Sequence, residues 1–508
     1  SIASVFFDMD NDNDLDLYVT NRPERFYKTF KQFEDERKLG QKVSLHRLYR
    51  NEGNGSFSEV SDAAGISSRF GYGLNVIAGD FNGDGWQDLY VCNDFRWPDF
   101  YYENQKYGSF REKLHEFSNH ISFSSMGADL GDINNDALED LFVVEMRPED
   151  YKRSKTSMPA MNPPVYDTMA SMGFHIQFMH NALMLNQGRG FFSEISQLAG
   201  VDKTDWSWAP LIADYDHDGL QDIYVTNGYR RDLNDMDGDA LVDSLVKNNH
   251  RFNSVDELFA LFPSVKIANY MFKNEGDLRF RKVMSDWGLT ENSYSNGAAT
   301  GDLDGDGDLD LVVNNLDGEA FLYKNNNPNN ENRIRVSCKG PAGNPLGIGA
   351  RITATAQGWR TAAEMRIQRG YLSCSEPFVH IGLGDIEKLD SLVIRWPDGR
   401  TEVKTSVKSG KDLVFNHSDA SPASASGAPD PVPYFTDKSD MLIKPLFRHR
   451  ENNHSDFAVQ ILLPHRMSRL GPFLAVSDVN GDGLDDFFVG GAKDQSAAVY
   501  IQNAQGHF

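Results

Sequence analysis

Six short stretches of the chain place oxygen-bearing side chains at one repeated spacing. They are "DMDNDNDLD" from Asp8, "DFNGDGWQD" from Asp80, "DINNDALED" from Asp132, "DYDHDGLQD" from Asp214, "DLDGDGDLD" from Asp302 and "DVNGDGLDD" from Asp478. All carry Asp or Asn at positions 1, 3, 5 and 9, a register that a merely charged surface loop has no reason to keep. In a tight turn, side chains 1, 3 and 5 point inward, a backbone carbonyl at position 7 adds a ligand, and the acid at position 9 closes the cage. The candidate ligands are therefore Asp8, Asp10, Asp12, Asp14 and Asp16; Asp80, Asn82, Asp84, Trp86 and Asp88; Asp132, Asn134, Asp136, Leu138 and Asp140. The later loops add Asp214, Asp216, Asp218, Leu220 and Asp222; Asp302, Asp304, Asp306, Asp308 and Asp310; and Asp478, Asn480, Asp482, Leu484 and Asp486.

Oxygen-only ligands select a hard ion, and the many flexible carboxylates suit calcium better than magnesium, at about one ion per loop. No His or Cys stands at the ligand positions, which disfavours zinc and copper. Gly at position 4 or 6 of several copies permits the positive φ such a turn requires. The likeness to an EF-hand is local, because position 12 is not Glu and no amphipathic helices flank the loops.

Other chemistry is poorly represented. The chain has no GxSxG, HExxH or CxxC motif. His449 and His454 stand five apart in a loop, and His175, His180 and His465 read as packed or surface histidines. Carboxylates engaged on calcium are not free to act as general acids. The expectation is a non-catalytic protein; the alternative is a polysaccharide lyase or glycoside hydrolase, centred on Tyr166, His175 and His180. Gly347 and Gly349 form a "GIG" turn with no following helix, which argues against a phosphate cradle. Three cysteines are too few for a disulfide framework; Cys338 and Cys374 could pair or stay as buried thiols.

The 508 residues carry a formal net charge of −24, which argues against a nucleic-acid partner; six divalent ions would halve that charge. No apolar run approaches the roughly 18 residues of a spanning helix. The opening "SIASVFFDMD" and the final "VYIQNAQGHF" read as parts of repeats, so a longer parent with its own signal or anchor is expected.

Elements must position the loops. Each loop runs into a β-branched and aromatic stretch such as "LDLYVTN" or "QDIYVTNG", and a small-residue strand such as "NGAATGD" leads in. A second hairpin follows, as in "LYRNEGNGSFSEV" and "YMFKNEGDLRFRKV", giving about four antiparallel strands per repeat. Insertions spanning Arg147 to Asn181 and Tyr229 to Ala268 lengthen two repeats, the latter with a capped short helix at "SVDELFALF". A seventh acidic stretch, "DMDGDALVD" from Asp235, lacks the strand context and reads either as a further metal loop or as an acidic surface insertion.

Loops with this preceding strand resemble FG-GAP/VCBS repeats, the blades of integrin α-subunit propellers. That resemblance implies calcium bound by the acids at positions 1, 3, 5 and 9. Between the fifth and sixth loops, "NPLGIGARI", "GYLSCSEPFVHIGLGD" and "LVIRWPDGRTE" resemble an ASPIC/UnbV domain, with "WPDG" as a turn and Trp396 in the core. The expected fold is all-β: a calcium-loop β-propeller over residues 1–328, a small β-domain over 329–416, a Ser/Ala/Pro linker over 417–433, and the start of a second propeller over 434–508. This layout resembles cartilage acidic protein-like and large Bacteroidota surface proteins. It implies an extracytoplasmic scaffold, secreted or held as an outer-membrane lipoprotein, that binds protein partners such as an outer-membrane barrel or transporter complex, or a glycan.

Overall fold

The computed structural model describes residues 1–22, 46–66, 71–94, 97–157, 163–188, 190–328, 331–422, 435–460, 463 and 467–508. His465, most of the linker and part of the Arg147–Asn181 insertion lie outside the described residues. Ser1–Ala423 forms one compact unit and Ser424–Phe508 another.

The first unit contains five successive antiparallel sheets of one design. The second sheet is representative: Gly73–Gly79, Asp88–Asn93, Phe100–Asn104 and Phe110–Glu112 lie side by side in chain order. Its relatives begin at Ser4–Phe7, Gly127–Gly131, Ser207–Ala213 and Ser295–Gly301, the last with three strands. These leading strands pack against one another in sequence, so they are the inner strands of a propeller-like array. Their small residues allow that approach; a Cβ at Gly131 would meet Ile212 Cγ2 at 2.6 Å. Aromatic and β-branched side chains of the second and third strands fill the space between blades, with Tyr18, Tyr102, Phe142, Tyr224 and Phe272 fully buried.

Each acidic loop joins the inner strand to the second strand. The residue before position 1 pairs with position 9 in every case, as in Phe7 with Asp16, Gly79 with Asp88, Gly131 with Asp140 and Gly301 with Asp310. All five loops therefore emerge at one end of the array. Both insertions leave from the end of a second strand, at the opposite face.

The β-domain has two sheets. One pairs Arg333–Lys339 with Val379–Gly382 and, in parallel, with Lys411–Asn416; the other orders Trp359–Glu364, Arg351–Ala356, Lys388–Arg395 and Thr401–Lys408. Burial alternates along Arg333–Lys339 as a two-sided sheet requires. Ile334, Ile352, Leu392, Trp396 and Phe415 form its core, and Trp396 is 1% exposed. "WPDG" is the expected turn, closed by Gly399 N–H on the Trp396 carbonyl.

Three sequence readings resolve here. "DMDGDALVD" is not a loop: Asp235 caps the helix Met236–Lys247 by accepting from Gly238 N–H. "SVDELFALF" is a short helix, Val255–Phe259, capped by Ser254. Cys338 and Cys374 do not pair; Cys338 is buried in the β-domain core, whereas Cys374 is exposed at the end of a hairpin.

In the second unit, Leu474–Ser477, Asp486–Val489 and Ala498–Tyr500 form a three-stranded sheet with the sixth loop between its first two strands.

Candidate metal centres

Side-chain bonds to the backbone wind each loop. In the first four loops and the sixth, the position-1 Asp accepts from the N–H of residues 5 and 6; for Asp80 these are Asp84 at 3.0 Å and Gly85 at 2.8 Å. Positions 4 and 6 take positive φ in every loop, whether Gly83 and Gly85 (77° and 89°), Asn11 and Asn13 (59° and 74°) or Asn135 and Ala137 (58° and 63°). Asn tolerates this region, but Ala137 carries a Cβ into it at some cost.

The position-9 Asp locks the loop to its blade. Asp16 accepts from Met9 N–H at 2.9 Å through one oxygen and from Asn51 N–H at 2.8 Å through the other. Asp140, Asp222, Asp310 and Asp486 repeat both bonds, the last with Gln502 in place of Asn. That Asn also ties blades together. Asn104 Nδ2 donates to Gln87 O in its own blade and to Met9 O in the preceding one, at 3.1 and 2.8 Å. Asn186, Asn274 and Asn325 do the same, to Phe81 O, Ile133 O and Tyr215 O. The hairpin motifs hold these Asn residues at a constant offset, the one signal that could have exposed the role.

Three loops gather carboxylate oxygens within 4.8 Å of one another: Asp8, Asp10 and Asp16; Asp214, Asp216 and Asp218; Asp302, Asp304 and Asp306. The other three have Asn82, Asn134 and Asn480 at position 3, so one donor there is an amide. Several buried oxygens in the acid-rich loops have no hydrogen-bond partner: Asp10 Oδ1, Asp14 Oδ1, Asp216 Oδ1, Asp302 Oδ1 and Asp308 Oδ1. Two lysine ammonium groups lie among the acids. Lys273 bonds Asp216 and Asp218, and Lys324 bonds Asp304 and lies 3.3 Å from Asp306. Burial opposes the charge on Lys273, yet those two carboxylates raise its pKa.

Burial pushes Asp8 up to about 7 and Asp16 up to about 8, with neighbouring acids adding to the effect. Asp88, Asp140, Asp214 and Asp222 are also raised well above the carboxylate range by burial. Negative charge is thus costly at the loop heads unless a cation neutralises it. The crowded, partnerless oxygens on a φ-constrained turn could hold a hard divalent ion. Asp478 differs: N–H donors, from Gly483 and then Gly481, lower its pKa.

The β-domain covers the loop face and touches all five loops of its unit. Asn13 Nδ2 lies 3.4 Å from Asp398, and Glu364 Oε1 accepts from Asp80 N–H at 3.2 Å. Asp132 accepts from Thr361 Oγ1 at 2.9 Å and Ala362 N–H at 3.2 Å. Gly384 N–H donates to His217 O at 2.9 Å, and Arg335 donates to Asp302 at 3.1 Å. At the centre, the half-buried Arg366 bonds both oxygens of buried Glu139 at 2.6 and 2.7 Å and buried Glu364 at 3.2 Å. Burial works against both acids; the Arg366 guanidinium still holds Glu139 below its usual value, while Glu364 is pushed up to about 7.

From this cover the hairpin Gln368–Arg369/Ser373–Cys374 descends among the inner strands. Arg369 pairs with Asp129 and donates to Ile212 O, Asn75 Nδ2 donates to Gly370 O at 2.6 Å, and Tyr371 packs tilted against Trp208, ring centroids 4.8 Å apart. Gly370 has φ +65°, and a Cβ there would come within 3.0 Å of Ala209 Cβ.

Among the described residues, no second domain covers the opposite face. Arg153 holds the insertions together, bonding Asp205 at 2.8 Å and Asp232 at 2.7 Å. Beside it lies a cavity of about 690 Å³, bordered by Arg147, Lys155, Phe178, His180 and Leu198. His175 is a packed histidine, buried and bonded to Ser118 O at 2.8 Å. Described residues contain no helix long and apolar enough to cross a membrane.

Comparison with known proteins agrees with this architecture. Residues 340–422 match the model for ASPIC and UnbV. Residues 8–91, 80–143 and 235–313 match the FG-GAP-like repeat. These stretches pass over the fourth loop at Asp214, which the structure nonetheless builds like the others. Cartilage acidic protein 1 of Xenopus tropicalis is 27% identical over 274 residues, covering 47% of this chain and 42% of that protein. The human protein of that name is 27% identical over 262 residues, 46% of this chain and 39% of its own. The chain thus spans about two fifths of the length of the curated relatives it matches. A solved Agrocybe aegerita lectin, described as recognising non-reducing terminal N-acetylglucosamine, covers 64% of this chain and 80% of its own at 11% identity; its TM-score of 0.25 carries no argument. The chain is an all-β, propeller-like protein of FG-GAP-like repeats that carries an ASPIC and UnbV domain.

Proposed function

We propose that the chain is a non-catalytic, calcium-bound scaffold that works outside the cytoplasm, with its β-domain on the loop face and its insertion face offered to a protein or glycan partner. The observation that carries this reading is the set of buried, partnerless carboxylate oxygens in the loops, two of which also draw in a lysine ammonium group. Such sites need positive charge, and calcium at extracellular concentrations supplies it, with affinities of roughly 10⁻⁴ to 10⁻³ M for extracellular modules. FG-GAP-like repeats together with an ASPIC and UnbV domain support an extracellular setting. A lipid-anchored place on an outer membrane, beside a barrel or transporter, is the specific form we favour.

The test is affinity isolation of the full-length protein from its native membrane, with and without EGTA, followed by mass spectrometry. Stoichiometric membrane partners that leave with calcium are expected. A protein that emerges alone under both conditions and degrades polysaccharide would overturn the scaffold reading.

A further inference from the structure

A chemically different donor set lies on the insertion face. His120, His180 and Glu194 each offer one ligand atom, and the three atoms lie within 4.8 Å of one another. Parallel pairing of Ile121–Ser122 with Gln177–Phe178 brings the two histidine segments side by side. Glu194 closes the set from the outer strand Phe192–Glu194 of the third blade.

The groups are held in place. Glu194 Oε1 accepts from Ser196 N–H at 2.7 Å and Leu183 N–H at 3.3 Å, while Oε2 lies 3.3 Å from His120 Nε2. His180 Nδ1 lies 2.6 Å from the Asn181 carbonyl and 3.4 Å from Ser196 Oγ; a carbonyl only accepts, so Nδ1 is the donor and Nε2 is the nitrogen left to bind a metal. A histidine whose second nitrogen donates to a carbonyl is oriented as metal-binding histidines are. His180 is 4% exposed, and Phe178 stacks on it at 6.1 Å. All three side chains border the 690 Å³ cavity, so a fourth ligand position would open into it.

We propose that His120, His180 and Glu194 form a site for a divalent transition metal of the zinc class, with one coordination position open to the cavity. Two imidazoles and a carboxylate are a donor set that zinc accepts with a fourth, exchangeable ligand. Calcium prefers all-oxygen cages, so the two kinds of site on this molecule sort their ions by donor chemistry. Arg147 and Lys155 border the same cavity, and their charges suit an anionic group, such as a carboxylate, as the exchangeable ligand.

The test uses the full chain saturated with calcium and titrated with Co²⁺ under visible absorption, then challenged with Zn²⁺. One equivalent of Co²⁺ with intense bands of low coordination number, displaced by Zn²⁺, is expected. His120→Gln and Glu194→Gln each weaken Zn²⁺ binding by about tenfold or more, with calcium-dependent melting unchanged. Absence of saturable uptake, or both variants binding Zn²⁺ as the parent does, would overturn the site. Because calcium stays saturating throughout, this outcome is independent of the calcium reading.

Discussion

The two ends of the propeller-like array differ in almost every physical respect. At the loop end, acids crowd together, carry raised pKa values and are covered by a second domain that bonds to every loop. At the insertion end, helices and long connections leave a cavity of about 690 Å³ with Leu198 66% exposed beside it. The contrast teaches that acidity here serves the architecture: charge holds the covered end together, and the other end is the one the proposed scaffold role assigns to a partner. Substitutions at the first end should act on stability and those at the second on binding.

Arg366→Ala should have the largest effect. It leaves Glu139 and Glu364 buried with only the charge of Arg351 to offset theirs, at a cost of about 3–5 kcal/mol read by urea unfolding of the protein in calcium. A cost under about 1 kcal/mol would mean the β-domain merely rests on the loops.

Asn104→Ala orphans two carbonyls, one on its own blade and one on the preceding blade. We expect a loss of about 2–3 kcal/mol. Asn51→Ala breaks the bond to Leu15 O within its own blade; it should cost about 1 kcal/mol less. Equal costs would remove the inter-blade bond from the account.

Ala137→Gly should stabilise by roughly 0.5 kcal/mol, since a residue with a Cβ now holds φ 63°. Leu198→Asp at the insertion end should change stability by less than about 0.5 kcal/mol while abolishing partner capture. Loss of capture on Arg366→Ala with the fold retained, and none on Leu198→Asp, would invert the comparison.

Much of the loop end was legible because its signals are local. Acids at positions 1, 3, 5 and 9, small residues before them and β-branched runs after them sit within single short stretches, and each became a loop between paired strands. The seventh stretch shows what else is required. Asp235 to Asp243 keeps the acid register, but Ala240, Leu241 and Leu245 favour a helix, and Gly238 lies inside that helix without positive φ. The β-domain was legible as a module, but its seat was not, because Arg366 meets Glu139 across 227 residues and no local pattern records such a pairing. His120 escaped notice for the same reason: 74 residues separate it from Glu194, and only the fold makes them neighbours.

The most direct measurement is the melting temperature of the full chain in about 1 mM calcium and in EGTA, at about pH 8 and again at about pH 5. Burial pushes Asp8 up to about 7 and Asp16 up to about 8, above the ordinary 3.8, so without a bound cation the fold would hold protons that the unfolded chain releases. Its stability would therefore fall as pH rises through that window, while the proposed calcium, which needs the ionised acids, would gain its hold over the same range. The account predicts that calcium raises the melting temperature by about 10 °C at pH 8 and by much less at pH 5. An EGTA-insensitive melting temperature at pH 8 would contradict it.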